Sequence, residues 1–274
     1  MLNRLEANKI LHEKILSEDP FMAARIGATE IKAILYPRLP KLLKIFFKKR
    51  FFSRMFELSG FFPSNEENII RFSEMMLIDM KKVDILGSWR IEENFFKDEL
   101  NNAIRIKLNA LEPYLHDEPW SKALEGKKVL VVHPFAELIY EQYKKKDFLF
   151  PNKNVLPNFE LSVIKAVQSL SGEKNPFENW FQALEFMKKE ISQKDFDIAL
   201  IGCGAYGFPL AAHTKKIGKQ SIHIGGSLQI LFGIKGARWN NHPIISKFYN
   251  EHWVRPRAED RPSKSHLVEN DCYW

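Results

Sequence analysis

Cysteine is scarce. Cys203 and Cys272 are the only two in 274 residues, and they sit far apart. That excludes a disulfide-stapled secreted scaffold, and a reduced, cytoplasmic protein is the expectation. Long hydrophobic runs are missing as well. No stretch approaches the ~20 apolar residues needed to span a bilayer. Residues 1–18 carry Glu6, Lys9, Glu13 and Lys14, which breaks any signal-peptide core. The eight histidines are scattered without a zinc-type spacing. Repeats and low-complexity blocks are also absent. Acidic residues are missing from one region in particular: none occurs from Arg38 to Arg54.

What remains is an ordinary globular composition, 45% apolar and 27% charged. The length suits one large α/β domain or two small ones with a well-buried core. Lys and Arg number 41 against 34 Asp and Glu, a net charge of +7. Such a balance favours nucleic acid, phosphates or anionic lipid as partners without choosing among them.

Periodicity alternates along the chain. Helices are expected over 2–18, 29–35, 64–83, 175–193 and from Tyr206 to Gly218. Ser64 with Glu67 three residues on reads as a capping box, and Asn175 with Pro176 as a cap and first helical position. "FAELIYEQYKKK" reads as a further helix. Strands are expected in 20–27, 84–89, 127–134, in "FDIALIGCG" and in "QSIHIGG"; 159–170 has strand character. Strands alternating with helices imply an α/β, Rossmann-like, mainly parallel sheet covered on both faces. A single domain over 1–274 is expected, with any internal boundary near 107–126.

Gly202-Cys203-Gly204-Ala205-Tyr206-Gly207 fits G-x-G-x-x-G after an apolar run. Three readings are open: an NAD fingerprint, a tight strand–helix turn, or a wall of another phosphate or sugar-nucleotide site. The NAD reading wants an acid at the end of the next strand. That strand ends His223-Ile224-Gly225-Gly226 instead. Cys203 does not make a nucleophile elbow, because Ile201 and Ala205 stand where glycines are needed.

Arg25 and Glu30 flank a glycine turn in "RIGATE". An arginine can take a diphosphate bidentately, and a carboxylate can hold a metal, a sugar hydroxyl or a proton; an Arg–Glu ion pair is the plainer alternative. His133 follows the strongest strand, with Glu137 four residues on. Catalytic groups often sit there, but so do helix-capping histidines and dipole-favoured glutamates. Residues 40–57 interleave Lys41, Lys44, Lys48, Lys49, Arg50 and Arg54 with Leu and Phe. Lys41, Lys44 and Lys48 share one helical face. The segment reads either as a helix for an anionic membrane surface or as one packing its Phe face on the core. No nucleic-acid motif accompanies it.

The stretches "ARIGATE", "KKVLVVHPFAE" and "DIALIGCGAYGFPLAAHTKKIGKQSIHIGG", spread over roughly 20–240, together resemble bacterial glycosyltransferases of the GT-D fold type from polysaccharide clusters. The resemblance implies a cytoplasmic enzyme, peripheral on the inner face of the plasma membrane if 40–57 docks there. It would move a sugar from a nucleotide donor, a UDP-sugar favoured, to a glycan, lipid-linked or protein acceptor, with no nucleic acid involved. The family turn reads R-x-G-D-G-E, and its two acids hold the diphosphate and a divalent metal. Arg25, Gly27 and Glu30 match it, but Ala28 stands at the Asp position, so one ligand for Mn²⁺ or Mg²⁺ is missing. By resemblance Arg25, Gly27, Gly202, Gly204, Tyr206, Gly207, His223, Gly225 and Gly226 bind the donor. Glu30, His133 and Glu137 are the catalytic candidates, Glu30 also for metal. A nucleotide-binding accessory protein with degenerate chemistry, or an NAD-linked oxidoreductase, are the competing readings.

Overall fold

The computed structural model describes residues 1–268 and 271–274. Seven strands form one sheet: β1 (Met22–Ala24), β2 (Ile85–Ser88), β3 (Ile104–Lys107), β4 (Lys128–His133), β5 (Glu160–Lys165), β6 (Ile198–Ile201) and β7 (Gln220–His223). Their order is β3-β2-β1-β7-β6-β4-β5, and every pairing is parallel. The helices are α1 (Arg4–Leu16), α2 (Ala28–Leu35), α3 (Lys41–Ser59), α4 (Glu66–Met80), α5 (Ala136–Tyr143), α6 (Lys146–Leu149), α7 (Trp180–Ser192), α8 (Gly207–Lys216) and α9 (Leu228–Leu231).

Both sheet faces are covered, so the central strands are apolar at consecutive positions rather than alternately. On β4, Val129 and Val131 point into a core shared with Leu11, Trp120, Ile139 and Leu149. Leu130 and Val132 point the other way, toward Ile34, Phe72, Met76, Leu184 and Leu210. The sorting follows from right-handed crossovers. Leftward steps (β1 to β2, β5 to β6, β6 to β7) put α2, α4, α7 and α8 on one face. Rightward steps put α5 and the short turns of 108–124 on the other, where α1 joins them.

The register sets the site. Ala24 pairs with His223, His223 with Ile201, and Ile201 with Val132. The chain therefore leaves these four strands in one row, at Arg25, Ile224, Gly202 and His133. With strands about 4.8 Å apart, that row spans roughly 14 Å.

Several local expectations shift. Helix α4 is capped by Asn65, whose side chain accepts from the Asn68 N–H; Ser64 instead donates to the Phe52 carbonyl at 2.8 Å. Helix α7 is capped by Asn179, because Asn175 accepts from the Phe177 N–H in a local turn one step earlier. Strand β3 was not expected at all. Residues 107–126, expected as the place for any boundary, link β3 to β4 within the same sheet.

Candidate functional site

A cleft opens at the carboxyl edge of the sheet. It is lined from the ends of β1 (Arg25, Gly27, Glu30), β2 (Trp89), β4 (His133, Pro134), β5 (Gln168, Ser169), β6 (Gly202, Gly204) and β7 (Gly225, Gly226). It holds about 1030 Å³ of empty space, its open mouth included. Strand β4 passes rightward to β5 and β6 leftward to β7, so their carboxyl ends form a switch point, where ligands of open α/β sheets bind.

Arg25 is a cation of the cleft wall. Its guanidinium lies over the Trp89 ring at 5.2 Å, and the Trp89 indole N–H is fixed on the Ile26 carbonyl at 2.9 Å. Among the described residues it has no ion-pair partner, so the Arg25–Glu30 ion pair does not form. Gly225 has φ +75°, and a Cβ there would come within 3.3 Å of the Arg25 guanidinium. Glycine thus serves both the left-handed turn and the close approach.

Glu30 stands in the first turn of α2, its carboxylate folded back over Gly27, where a Cβ would collide with it. It is the one carboxylate among the described lining residues. No group of three or more His, Cys, Asp or Glu among the described residues is placed to hold a metal ion. The described side chains do not make a metal site by themselves.

His133 is buried at the end of β4, and burial pushes its pKa down to about 3. Its Nδ1 accepts from the Phe135 N–H at 3.0 Å, so the neutral ring carries its proton on Nε2. Held this way its Nε2–H is available to donate a hydrogen bond, and burial disfavours the protonated ring.

Tyr206 stacks on Trp180 with 4.8 Å between centroids. Ser169 donates to the Gly60 carbonyl at 2.7 Å, so the Tyr206 hydroxyl, 3.0 Å away, donates to Ser169. Tyr206 is a braced wall rather than a free arm.

Three of the expected residues lie outside the cleft lining. Glu137 is half-exposed on α5 and pairs with Lys165 at 3.2 Å. His223 is buried with its Nδ1 bonded to the Ile201 carbonyl at 3.1 Å. Gly207 lies against that imidazole, and a Cβ would collide with it. The third glycine of the motif therefore packs α8 onto β7, outside the cleft lining.

The sequence also left residues unnoticed. Trp89, Gln168, Ser169, Gln229, Arg238, Tyr273 and Trp274 line the cleft. Gln229 is fully buried; its amide N–H groups reach the Ile234, Lys235 and Tyr273 carbonyls, while its Oε1 has no partner. Behind the β7 turn, the Glu112 carboxyl faces Ser227 and Tyr114, and burial lifts its pKa to about 7 despite the pull of Arg25. No motif marks any of these; they meet through tertiary structure.

The fold and cleft together define a parallel α/β protein with a cleft at the strand ends. No family model matches the chain, and no curated protein matches it. Among solved structures, a selenomethionine-substituted domain of unknown function, DUF1792, is similar. The identity is 14%, over 92% of this chain and 99% of that one, with a TM-score of 0.40. No residue role is carried over from that likeness.

Proposed function

We propose that the chain is a glycosyltransferase that takes its sugar from a nucleotide donor. The observation that carries this reading is Arg25: a cation without a described ion-pair partner, held by Trp89 in a glycine-walled cleft at the strand ends. A fixed cation there suits the charge that develops on a departing diphosphate. The "RIGATE" turn, through its resemblance to the GT-D turn, supports the same assignment.

In this reading Arg25 neutralises the leaving diphosphate, and Gly225 lets its guanidinium lie close against the β7 turn. Glu30 accepts from a donor hydroxyl, and the Nε2–H of His133 donates to the ligand from the far end of the row. Because the described residues do not build a metal site, no step is assigned to one.

The test is a thermal-shift comparison of UDP, GDP, CMP and NAD, each with Mn²⁺ and with EDTA, followed by an assay for sugar transfer and donor hydrolysis. A ligand at 100 times its Kd adds about 2.7 kcal/mol of stability. UDP or GDP should stabilise the protein, and NAD alone doing so would overturn the reading. Nucleotide binding without transfer or hydrolysis favours the accessory-protein reading, for which Ala28 in place of a carboxylate is the specific observation.

A further inference from the structure

Helix α3 has two different ends. Its last residues, Leu58 and Ser59, line the cleft. Its first turns stand away from the core. Leu42 is 65% exposed, Ile45 67% and Phe46 72%. These three, with Lys49, follow the i, i+3, i+4, i+7 spacing of one helical stripe. The exposed Arg50 and Arg54 follow it, and like Lys49 they have no ion-pair partner among the described residues.

The protein-facing side of the same helix is different. Lys48 pairs with Glu66 at 2.6 Å, Lys44 lies over the Tyr36 ring at 5.7 Å, and Phe51 and Phe52 pack edge-on against Tyr36. The face shared by Lys41, Lys44 and Lys48, which the sequence offers for a membrane, is thus largely turned inward. The outward face is the apolar stripe with its own cations.

We propose that the first turns of α3 seat the protein on an anionic bilayer, with Leu42, Ile45 and Phe46 entering the headgroup boundary and Lys49, Arg50 and Arg54 contacting lipid phosphates. An exposed apolar stripe rimmed by lysine and arginine is the composition of an interfacial helix. The charge selects the occupant. A second copy laid on this face would bring like-charged stripes together with no acid from Lys41 to Arg54 to offset them; an anionic surface is complementary. At 1.5 Å per residue, Phe46 lies about 20 Å along the helix from Ser59 at the cleft. The helix would therefore hold the cleft near the surface. The proposal stands whether or not the cleft transfers sugar.

The experiment is co-sedimentation with vesicles of equal phosphatidylglycerol and phosphatidylcholine, and with phosphatidylcholine alone, at 50 and 500 mM NaCl. Binding is expected to the anionic vesicles at low salt only. At about 1 kcal/mol per cation near the surface, K49Q/R50Q should weaken partitioning roughly 30-fold, and I45S/F46S should weaken it comparably. All four side chains are solvent-exposed or face outward, so melting curves should stay unchanged and mark the variants as folded. Absent binding, equal binding to neutral vesicles, or full binding by either variant overturns the proposal. A dimer that F46S dissociates, with no vesicle binding, would make a second copy the occupant instead.

Discussion

At the scale of single residues, the proposed donor site turns on Arg25 and Ala28. In that proposal Arg25 would carry the diphosphate charge, because Ala28 leaves the turn without a second carboxylate. Three outcomes are expected. Arg25→Ala should lower turnover more than EDTA does. Ala28→Asp, which adds a carboxylate beside Glu30, should tighten Mn²⁺ binding measured calorimetrically with UDP present, and Glu30→Ala should weaken it. Equal Mn²⁺ affinity in wild type, Ala28→Asp and Glu30→Ala would show that this turn is not where metal and diphosphate meet. Glu112 has a separate signature. Its carboxyl titrates near 4.5 when unfolded and about 7 when folded. The folded state therefore binds more protons between those values, and the contribution of Glu112 to stability falls as pH rises through that window. Urea midpoints of wild type and Glu112→Gln should diverge with pH from about 4.5 to about 7, the wild type losing the more. Parallel curves would mean that the carboxyl is ionised in the fold like any surface glutamate.

At the scale of elements, the glycine turn after β6 divides its work by position. Gly204 has φ +56° and an open Cβ direction, with the nearest atom, the Ser59 carbonyl, at 3.8 Å. Gly202 has no such room: a Cβ would meet the Gly225 carbonyl at 2.6 Å and the His133 ring at 3.0 Å. Gly204→Ala should therefore cost only left-handed strain, about 1–2 kcal/mol. Gly202→Ala should cost more, because two backbones must part and the row of strand ends is disturbed. Denaturant melts compare them, and a reversed order would mean a different turn. The same contrast shows what the sequence could express. "KKVLVVHP" and "FDIALIGCG" read as strands because both faces of β4 and β6 are buried. Strand β3 escaped because it is an edge: in Ile104-Arg105-Ile106-Lys107 only Ile106 is buried, so no apolar run appears. The caps of α4 and α7 were misplaced for another reason. Ser64 and Asn175 are as competent as Asn65 and Asn179, and tertiary or turn contacts chose between them.

At the scale of the whole molecule, the site is an edge rather than a motif. Arg25, His133, Gly202 and Gly225 were legible because each follows a strand that patterning could find. Once the strands are parallel, their ends must gather. Glu137 and His223 were not distinguishable from them in sequence, since whether a residue just past or at a strand end faces the cleft depends on the turn it makes. Tyr273, Trp274 and Arg238 reach the cleft from the far end of the described chain, where no local pattern signals it. Tyr273 seats directly on Gly226. A ligand in such a cleft touches the carboxyl ends of many strands and none of their amino ends. Hydrogen exchange followed with and without UDP should therefore slow in 25–30, 133–135, 202–206 and 225–229, all lined or bordered by the cleft. Amides near the opposite edge should change little: those of Asp197 and Gln220 donate to the Lys128 and Asp197 carbonyls, and that of Lys128 donates to the Asp197 carboxylate. Protection confined to the groove of 255–266, which Arg255, Arg257 and Arg261 line, would move the anion site away from the strand ends. Protection spread evenly over both edges would mean that UDP tightens the fold globally without occupying the cleft.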